Sequence, residues 1–355
     1  RLALHERAIV LDHQEQRAFA VAAVGLREAL GLPAGEPADD AAWADRWQHA
    51  ATAEPQPLAQ PHLRLRHEIR QADYEQMVTR ALEYIAAGDI YQVNIAQRLR
   101  FEGIGDPLAV YAALRRTNPA PYAALLSWPG GAVASVSPEL FLRVQGDEVV
   151  TRPIKGTRPR TRDPLLDDAY RRQLLASEKD AAELAMIVDL HRNDLGRVCA
   201  YRSVQVAHAR RVETHPTVFH TVADIVGRLA PGHDALDLLA ACFPAGSISG
   251  VPKIRALQII DELEPAARGV YTGAVGVLGV DGQMTFNVAI RTVQINQATA
   301  TLYVGGGIVA DSDPADEYEE TLAKARGIVD ALHSTSGAAR VSSSTFGAAN
   351  GDRLA

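Results

Sequence analysis

Hydrophobic positions along this chain switch between two periods. From Tyr74 to Ala87 they recur at helical spacing, and Gly88 ends the run. Gly88-Asp-Ile-Tyr-Gln-Val-Asn-Ile-Ala96 then reads as a turn into a strand. Ala132–Val136 and Leu140–Val144 read as strands with Ser137-Pro-Glu139 as the turn between them, and Gly146-Asp147 is a further turn signal. The next strand carries Thr151-Arg-Pro-Ile-Lys-Gly-Thr-Arg-Pro-Arg160. Leu174–Leu190 predicts a helix, Val218–Leu229 another, and Pro252–Leu263 a third with proline in its first turn. Gly273–Val280 and Met284–Ile295 predict strands on either side of Asp281-Gly282, a two-residue hairpin signal. Thr301–Ala310 predicts a strand broken by Gly305-Gly-Gly307. Asp313 as N-cap and Pro314 at the first helical position open a last helix to about Leu332.

The ends carry less pattern. Ala8–Leu11 is a short apolar run, Ala18–Leu30 looks helical, and residues 31–62 read as a linker rich in Ala, Pro, Asp and Gln. The tail from Ser334 is rich in Ser, Ala and Gly and reads as disordered. The expected division is a truncated N-terminal segment with linker over 1–62, a main domain over 63–333 and a tail over 334–355. Hairpins predict antiparallel sheet packed by helices, an α/β chain of the α+β type, rather than a doubly wound parallel sheet.

Composition narrows the setting. At 355 residues the chain exceeds one small core. A formal charge of -7 gives no general attraction to nucleic acid or anionic membrane. Cys199 and Cys242 are too far apart for a CxxC motif, so neither a disulfide framework nor a zinc ribbon is expected. No apolar run reaches the roughly 18 residues of a membrane span, and no signal peptide is visible. A cytoplasmic setting is the expectation. The chain starts at Arg1 rather than Met, as a fragment or processed chain would.

Lys155 is crowded in sequence by Arg152, Arg158 and Arg160. Neighbouring positive charge lowers a lysine's pKa, and such a lysine can act as a nucleophile near neutral pH. A strand lysine paired with a surface carboxylate reads the same way. Asp180 with Glu183, and Glu317 with Glu320, each sit three residues apart, on one face of their helix, and Lys324 extends the second face. Carboxylates without Cys or His partners suit a hard cation such as Mg2+. A solvated helix face has the same spacing. The glycines 305–307 let a ligand approach the backbone, or mark a bulge. Arg291 lies on the predicted strand, opposite the face of Phe286, Val288, Ile290 and Thr292, as a carboxylate clamp or a solvent-facing arginine. Gly246-Ser-Ile-Ser-Gly250 before Pro252-Lys253 is an anion site or a plain cap. Together these groups suit a Mg2+-dependent enzyme acting on a small carboxylic acid.

Six stretches carry a closer resemblance: Gly88–Asn94, Ser137-Pro-Glu139, Pro153-Ile-Lys-Gly-Thr157, Ile187–Arg197, Gly246–Lys253 and Gly305–Asp313. Over residues 70–330 the chain resembles the chorismate-utilising enzymes, which include anthranilate, aminodeoxychorismate, isochorismate and salicylate synthases. The resemblance implies two facing antiparallel sheets with outer helices and a site in the cleft, with 63–333 as the catalytic domain. It implies Glu183 and Glu320 as direct Mg2+ ligands, with Asp180 and Glu317 behind them. Arg291, Tyr271, Gly305 and Gly307 would clamp the enolpyruvyl side chain. Ser247, Thr157 and Lys324 would be further substrate contacts, and His220 an active-site histidine. Water-using members carry lysine where this chain has Gln92. Anthranilate synthases typically read Pro-Ile-Ala-Gly-Thr where this chain has Lys155, so the closest likeness is to the large subunit of aminodeoxychorismate synthase. There the lysine is a covalent nucleophile, with Glu139 as general acid to the leaving hydroxyl. The implied partners are chorismate, a glutamine amidotransferase subunit that supplies ammonia, and a separate aminodeoxychorismate lyase. Anthranilate synthase component I and a non-catalytic chorismate-binding protein are the alternative readings. The opening strands of that fold, which help build a tryptophan pocket in many relatives, are expected to be missing.

Overall fold

The computed structural model describes residues 3–12, 15, 17–22, 26–31, 42, 43, 45 and 63–335. The chain divides into two compact units, residues 1–57 and 58–355. Within the first unit, β1 (Arg7–Asp12) and β2 (Arg17–Ala22) form an antiparallel hairpin, followed by the short α1 (Leu26–Ala29). Of the helix expected over 18–30, residues 18–22 are strand and only Leu26–Ala29 are helix. Phe19 and Val21 pair across from Val10 and Ala8, and aromatic and β-branched cross-strand pairs stabilise sheet. Most of the predicted linker, and the tail from residue 336, lie outside the described residues.

The second unit contains two seven-stranded antiparallel sheets that face each other. The first sheet uses β3 (Arg64–His67), β4 (Gln92–Glu102), β5 (Tyr122–Trp128), β6 (Gly131–Ser137), β12 (Gly250–Val251), β15 (Thr292–Asn296) and β16 (Thr299–Ile308). Its order is β12-β4-β16-β15-β6-β5, with β3 also on β4. The second uses β7 (Leu140–Gln145), β8 (Glu148–Arg152), β9 (Ile154–Pro159), β10 (Gln205–Thr214), β11 (Val218–Arg228), β13 (Ala274–Leu278) and β14 (Met284–Val288). Its order is β10-β11-β8-β7-β14-β13, with β9 beside β11.

Helices cover the outer faces. On the first sheet these are α2 (Gln71–Ala86), α3 (Pro107–Thr117), α7 (Lys253–Leu263) and α8 (Pro314–Thr335); on the second, α4 (Pro164–Ala176), α5 (Glu178–Leu195) and α6 (Ala235–Cys242). Leu99, Phe101, Leu302, Ile328 and Leu332 belong to the first core, and Phe141, Leu142, Leu184, Ile225 and Leu238 to the second. The fold is the expected α+β arrangement. Among the described residues no helix is long and apolar enough to cross a membrane.

Four local expectations change, each for a physical reason. Val218–Leu229 is strand β11, not a helix, and it is buried on both faces. Burial on both faces removes the alternation that would mark a strand, although Val218, Phe219, Thr221, Val222, Ile225 and Val226 are strand-forming types. Leu174–Leu190 is two helices, because Ser177 ends α4 and caps α5, its Oγ accepting from Asp180 N at 3.2 Å. Ser137-Pro-Glu139 is not a hairpin turn. It carries the chain from the first sheet into the second. Met284–Ile295 breaks into β14 and β15, with Arg291 at positive φ (49°) as the chain returns.

The two crossings lie side by side. Val288 N donates to Glu139 O at 3.1 Å, and Val136 N donates to Arg291 O at 3.1 Å. Asn287, Ser135 and Thr292 fill the space behind them with buried hydrogen bonds: Asn287 Nδ2 to Tyr122 O at 2.8 Å, and Thr292 Oγ1 to Ser135 Oγ at 2.8 Å. Glu139 and Arg291 are thus placed where backbone passes between the sheets.

Candidate active site

Lys155 sits on β9, and a bulge sets its direction. Across from β11, Thr157 pairs with His220 and Lys155 with Thr221, so Gly156 is the extra residue. Gly156 has φ +81°, and a Cβ there would meet Asp180 Cγ at 2.8 Å. Thr221 Oγ1 donates to Lys155 O and fixes the bulge. The ammonium then reaches Glu183 Oε2 of α5 at 3.6 Å.

The arginines beside Lys155 in sequence do not perturb it. Arg152 pairs with Asp224 and Glu213, Arg158 with Asp180 at 3.4 Å, and Arg160 with Asp167 at 2.9 Å. Burial is what lowers the Lys155 pKa. Glu183 and Glu139 oppose that lowering, and the charge of Lys324 adds to it. The expected direction holds with a different cause.

Glu139 is 3% exposed, and Oε1 has no hydrogen-bond partner. Burial pushes its carboxyl up to about 7, against the opposing pull of Ser247 and Lys155. A carboxyl poised there can give a proton near neutral pH. Ser247 Oγ, on the turn before β12, is buried close enough to Glu139 to lower its carboxyl, yet among the described residues it completes no hydrogen bond.

Gly307 packs against the same lysine from the other sheet. A Cβ there would lie 2.3 Å from Gln92 Nε2 and 3.3 Å from Lys155 Nζ. The glycine run does not break its strand as expected; β16 is continuous from Thr299 to Ile308. Its neighbours instead occupy the space a side chain would take. Gly305 faces the Tyr271 hydroxyl, and Gly306 faces Glu317 Oε2. Lys324 Nζ donates to Gly305 O at 3.0 Å and pairs with Glu320 at 2.7 Å.

Arg291 and His220 form the other wall. The expected strand alternation around Arg291 does not exist, because the residue sits in the crossing. Among the described residues its guanidinium has no acid or hydrogen-bond partner, and burial lowers its pKa. An unpaired, half-buried guanidinium is a ready receptor for a carboxylate. His220 Nδ1 lies 2.9 Å from Thr157 Oγ1, and Nε2 is buried without a partner. Burial, Arg291 and His215 together bring His220 down to about 3, so the imidazole is neutral. Tyr271 stacks on Tyr303 at 5.4 Å.

Glu183 and Asp180 on α5, and Glu317 and Glu320 on α8, each have a partner already: Lys155, Arg158, Ser312 (2.7 Å) and Lys324. Burial raises Glu317. It would raise Glu320 too, but Lys324, Lys179 and Lys155 hold that carboxyl low. The influence of Lys155 on Glu320 links the two acidic helices across one lysine. Among the described residues no three such acids gather around one point.

Sequence reasoning passed over Asn94, Lys179, Ser312 and His215. Asn94 lies at the end of a motif already singled out, and its buried Nδ2 lacks a partner. Ser312 also lies in a motif already singled out, Gly305–Asp313, but nothing in its spacing, or in that of His215, signals that they touch Glu317 and His220.

Comparison with known proteins fits this cleft. Anthranilate synthase component 1 1 of Haloarcula marismortui is 48% identical over 250 residues, covering 70% of this chain and 51% of the relative. Aminodeoxychorismate synthase of Streptomyces pristinaespiralis is 41% identical over 337 residues, covering 92% of this chain and 46% of the relative. The chain spans about half the length of the curated relatives it matches. The crystal structure of anthranilate synthase component I from Streptococcus pneumoniae superposes with a TM-score of 0.81 at 34% identity, over 91% of this chain and 72% of that one. The family model described as chorismate binding enzyme matches residues 1–330, so a buried lysine between facing sheets, an unpaired arginine and a glycine strand belong to a member of the chorismate binding enzyme family.

Proposed function

We propose that this chain is a component I-type chorismate enzyme that makes 4-amino-4-deoxychorismate from chorismate and ammonia. The observation that carries the reading is Lys155 itself. It is buried, lowered in pKa and directed into the cleft beside Glu139, Gln92 and Gly307. Neutral Lys155 attacks C2 while the C4 hydroxyl departs with the Glu139 proton as water. Ammonia then bonds to C4 and the C2–nitrogen bond breaks, returning Lys155 as the free amine. The new C4 ammonium gives one proton back to Glu139, so each turnover consumes chorismate and ammonia and releases water. Arg291 and the amides of the glycine strand hold the carboxylates while charge moves. His220, neutral and anchored on Thr157, lines the opposite wall. Ammonia would come from a separate glutamine amidotransferase subunit, and a separate lyase would convert the product to p-aminobenzoate.

The acids fit Mg2+ in donor chemistry, being oxygen-only and drawn from two helices beside the substrate cleft. Glu183 and Glu320 would hold the ion, with Asp180 and Glu317 behind them, and the ion would neutralise a substrate carboxylate. Calorimetric titration should show Mg2+ binding that weakens about tenfold or more in Glu183→Gln, as loss of a ligand usually does. Equal affinity in the variant removes Glu183 from the metal.

Identity to anthranilate synthases keeps anthranilate formation as the second reading. Incubation with chorismate, Mg2+ and ammonium, followed by mass and absorbance of the product, separates the two. 4-Amino-4-deoxychorismate is expected. Anthranilate as the main product sinks the first reading.

A further inference from the structure

The turn that carries Ser247 is braced from three sides. Gly246 packs on α5, where a Cβ would meet Leu190 Cδ2 at 2.5 Å and His191 Cδ2 at 3.2 Å. Gly250 lies against β4, where a Cβ would meet Gln92 O at 2.2 Å, and β12 pairs there through Gly250–Val93 and Val251–Gln92. Between these contacts Ser249 Oγ donates to Ala245 O at 3.1 Å and closes the turn on itself. The segment therefore spans from the helix layer of one sheet to an edge of the other. It carries Ser247 on that span and pairs with β4 at Gln92 before entering α7.

Its third attachment is ionic. Lys253 Nζ, at the start of α7, reaches Asp194 Oδ2 of α5 at 2.5 Å and donates to Cys242 O of α6 at 2.8 Å. The side chains of Lys253 and Asp194 are 11% and 5% exposed. A pair this buried contributes little net stability against an apolar replacement, yet removing one member leaves an uncompensated charge. Stability alone therefore does not account for the pair. One lysine here ties α5, α6 and α7 together immediately after the Ser247 turn. Arg197 also pairs with Asp194, but from an exposed position, so it supplies charge to Asp194 without reaching α7.

We propose that the Lys253–Asp194 bond is a latch that fixes the Ser247 turn, and with it the Gln92 edge of the cleft, in the geometry that receives substrate. Lys253 is a positioning residue in this role and touches no reacting atom. The link to chorismate binding rests on the function proposed above, but the latch itself does not.

The test separates charge compensation from latching. Lys253→Met leaves Asp194 without its buried lysine and lowers the melting temperature. Asp194→Asn/Lys253→Met removes both charges and regains stability, but it cannot restore the bond. Hydrogen–deuterium exchange reads the latch without substrate: amides of 246–251 should exchange about tenfold faster in the double variant, as local opening becomes easier. Chorismate KM should also stay about tenfold above wild type, a displacement effect, while kcat changes less. Double-variant exchange equal to wild type overturns the latch, whether or not Lys253→Met folds. If exchange quickens but the wild-type protein consumes no chorismate, the latch stands and the proposed function falls.

Discussion

Lys155→Ala is expected to lower aminodeoxychorismate formation by about 10³-fold or more, a loss in the range seen when a nucleophile is removed. Chorismate should still bind within a few-fold of wild type. The groups that would hold its carboxylates are the Arg291 guanidinium, the glycine-strand amides and the acidic helices, and none of them depends on Lys155 for its backbone position. The bulge at Gly156 is held by Thr221 Oγ1 through the Lys155 carbonyl, which alanine keeps. Single-turnover mixing followed by mass spectrometry gives a sharper check. Wild-type protein stopped without ammonia should carry a covalent adduct on Lys155, and the alanine variant should carry none. Undiminished turnover in the variant would remove the covalent role and leave Lys155 as a partner for Glu183.

How far the residues speak without a structure depends on how local each signal is. The hairpin at Gly146-Asp147 and the Asp313-Pro314 helix start lie within a few residues of what they specify and form as read, while the hairpin around Asp281-Gly282 forms through the longer loop 279–283, because pairing ends at Leu278 and Met284. Strand β11 has no local signal, since burial on both faces erases its period. Lys155 shows the same limit in its electrostatics. Three arginines within five residues suggest a crowded charge, but each finds its acid elsewhere: Arg152 at Asp224, 72 residues on, and Arg158 at Asp180, 22 residues on. Folding separates these charges, and a different cation, Lys324, arrives from α8. Arg291 is legible as a clamp type but not as a crossing residue. Its placement depends on β14 and β15 belonging to different sheets, and strand alternation cannot reveal that. Most of the candidate site is therefore visible as residues and motifs, while its causes are tertiary.

Glu139→Gln is expected to make the protein more stable and much less active. The carboxyl rises from 4.5 in the unfolded chain to about 7 in the fold, chiefly by burial. Between those values the folded state binds more protons than the unfolded one, so stability falls as pH rises through the window. At about 1.4 kcal/mol for each pH unit the cost above pH 7 is about 3 kcal/mol. Glutamine has the same shape and no charge, so at pH 8 the variant should gain up to that amount, and at pH 4 the two proteins should match. Thermal unfolding at both values measures it, and a gain of equal size at pH 4 would mean that packing, not ionisation, is the cause. Activity should move the other way. A general acid must hold its proton, so wild-type kcat should decline as pH climbs past about 7. The glutamine variant, with no proton to give, should lose about 10²–10⁴-fold and show no such decline. A variant that keeps its turnover would assign the proton to another group, and not to His220, because an imidazole brought down to about 3 is neutral near pH 7 and has no proton to give there.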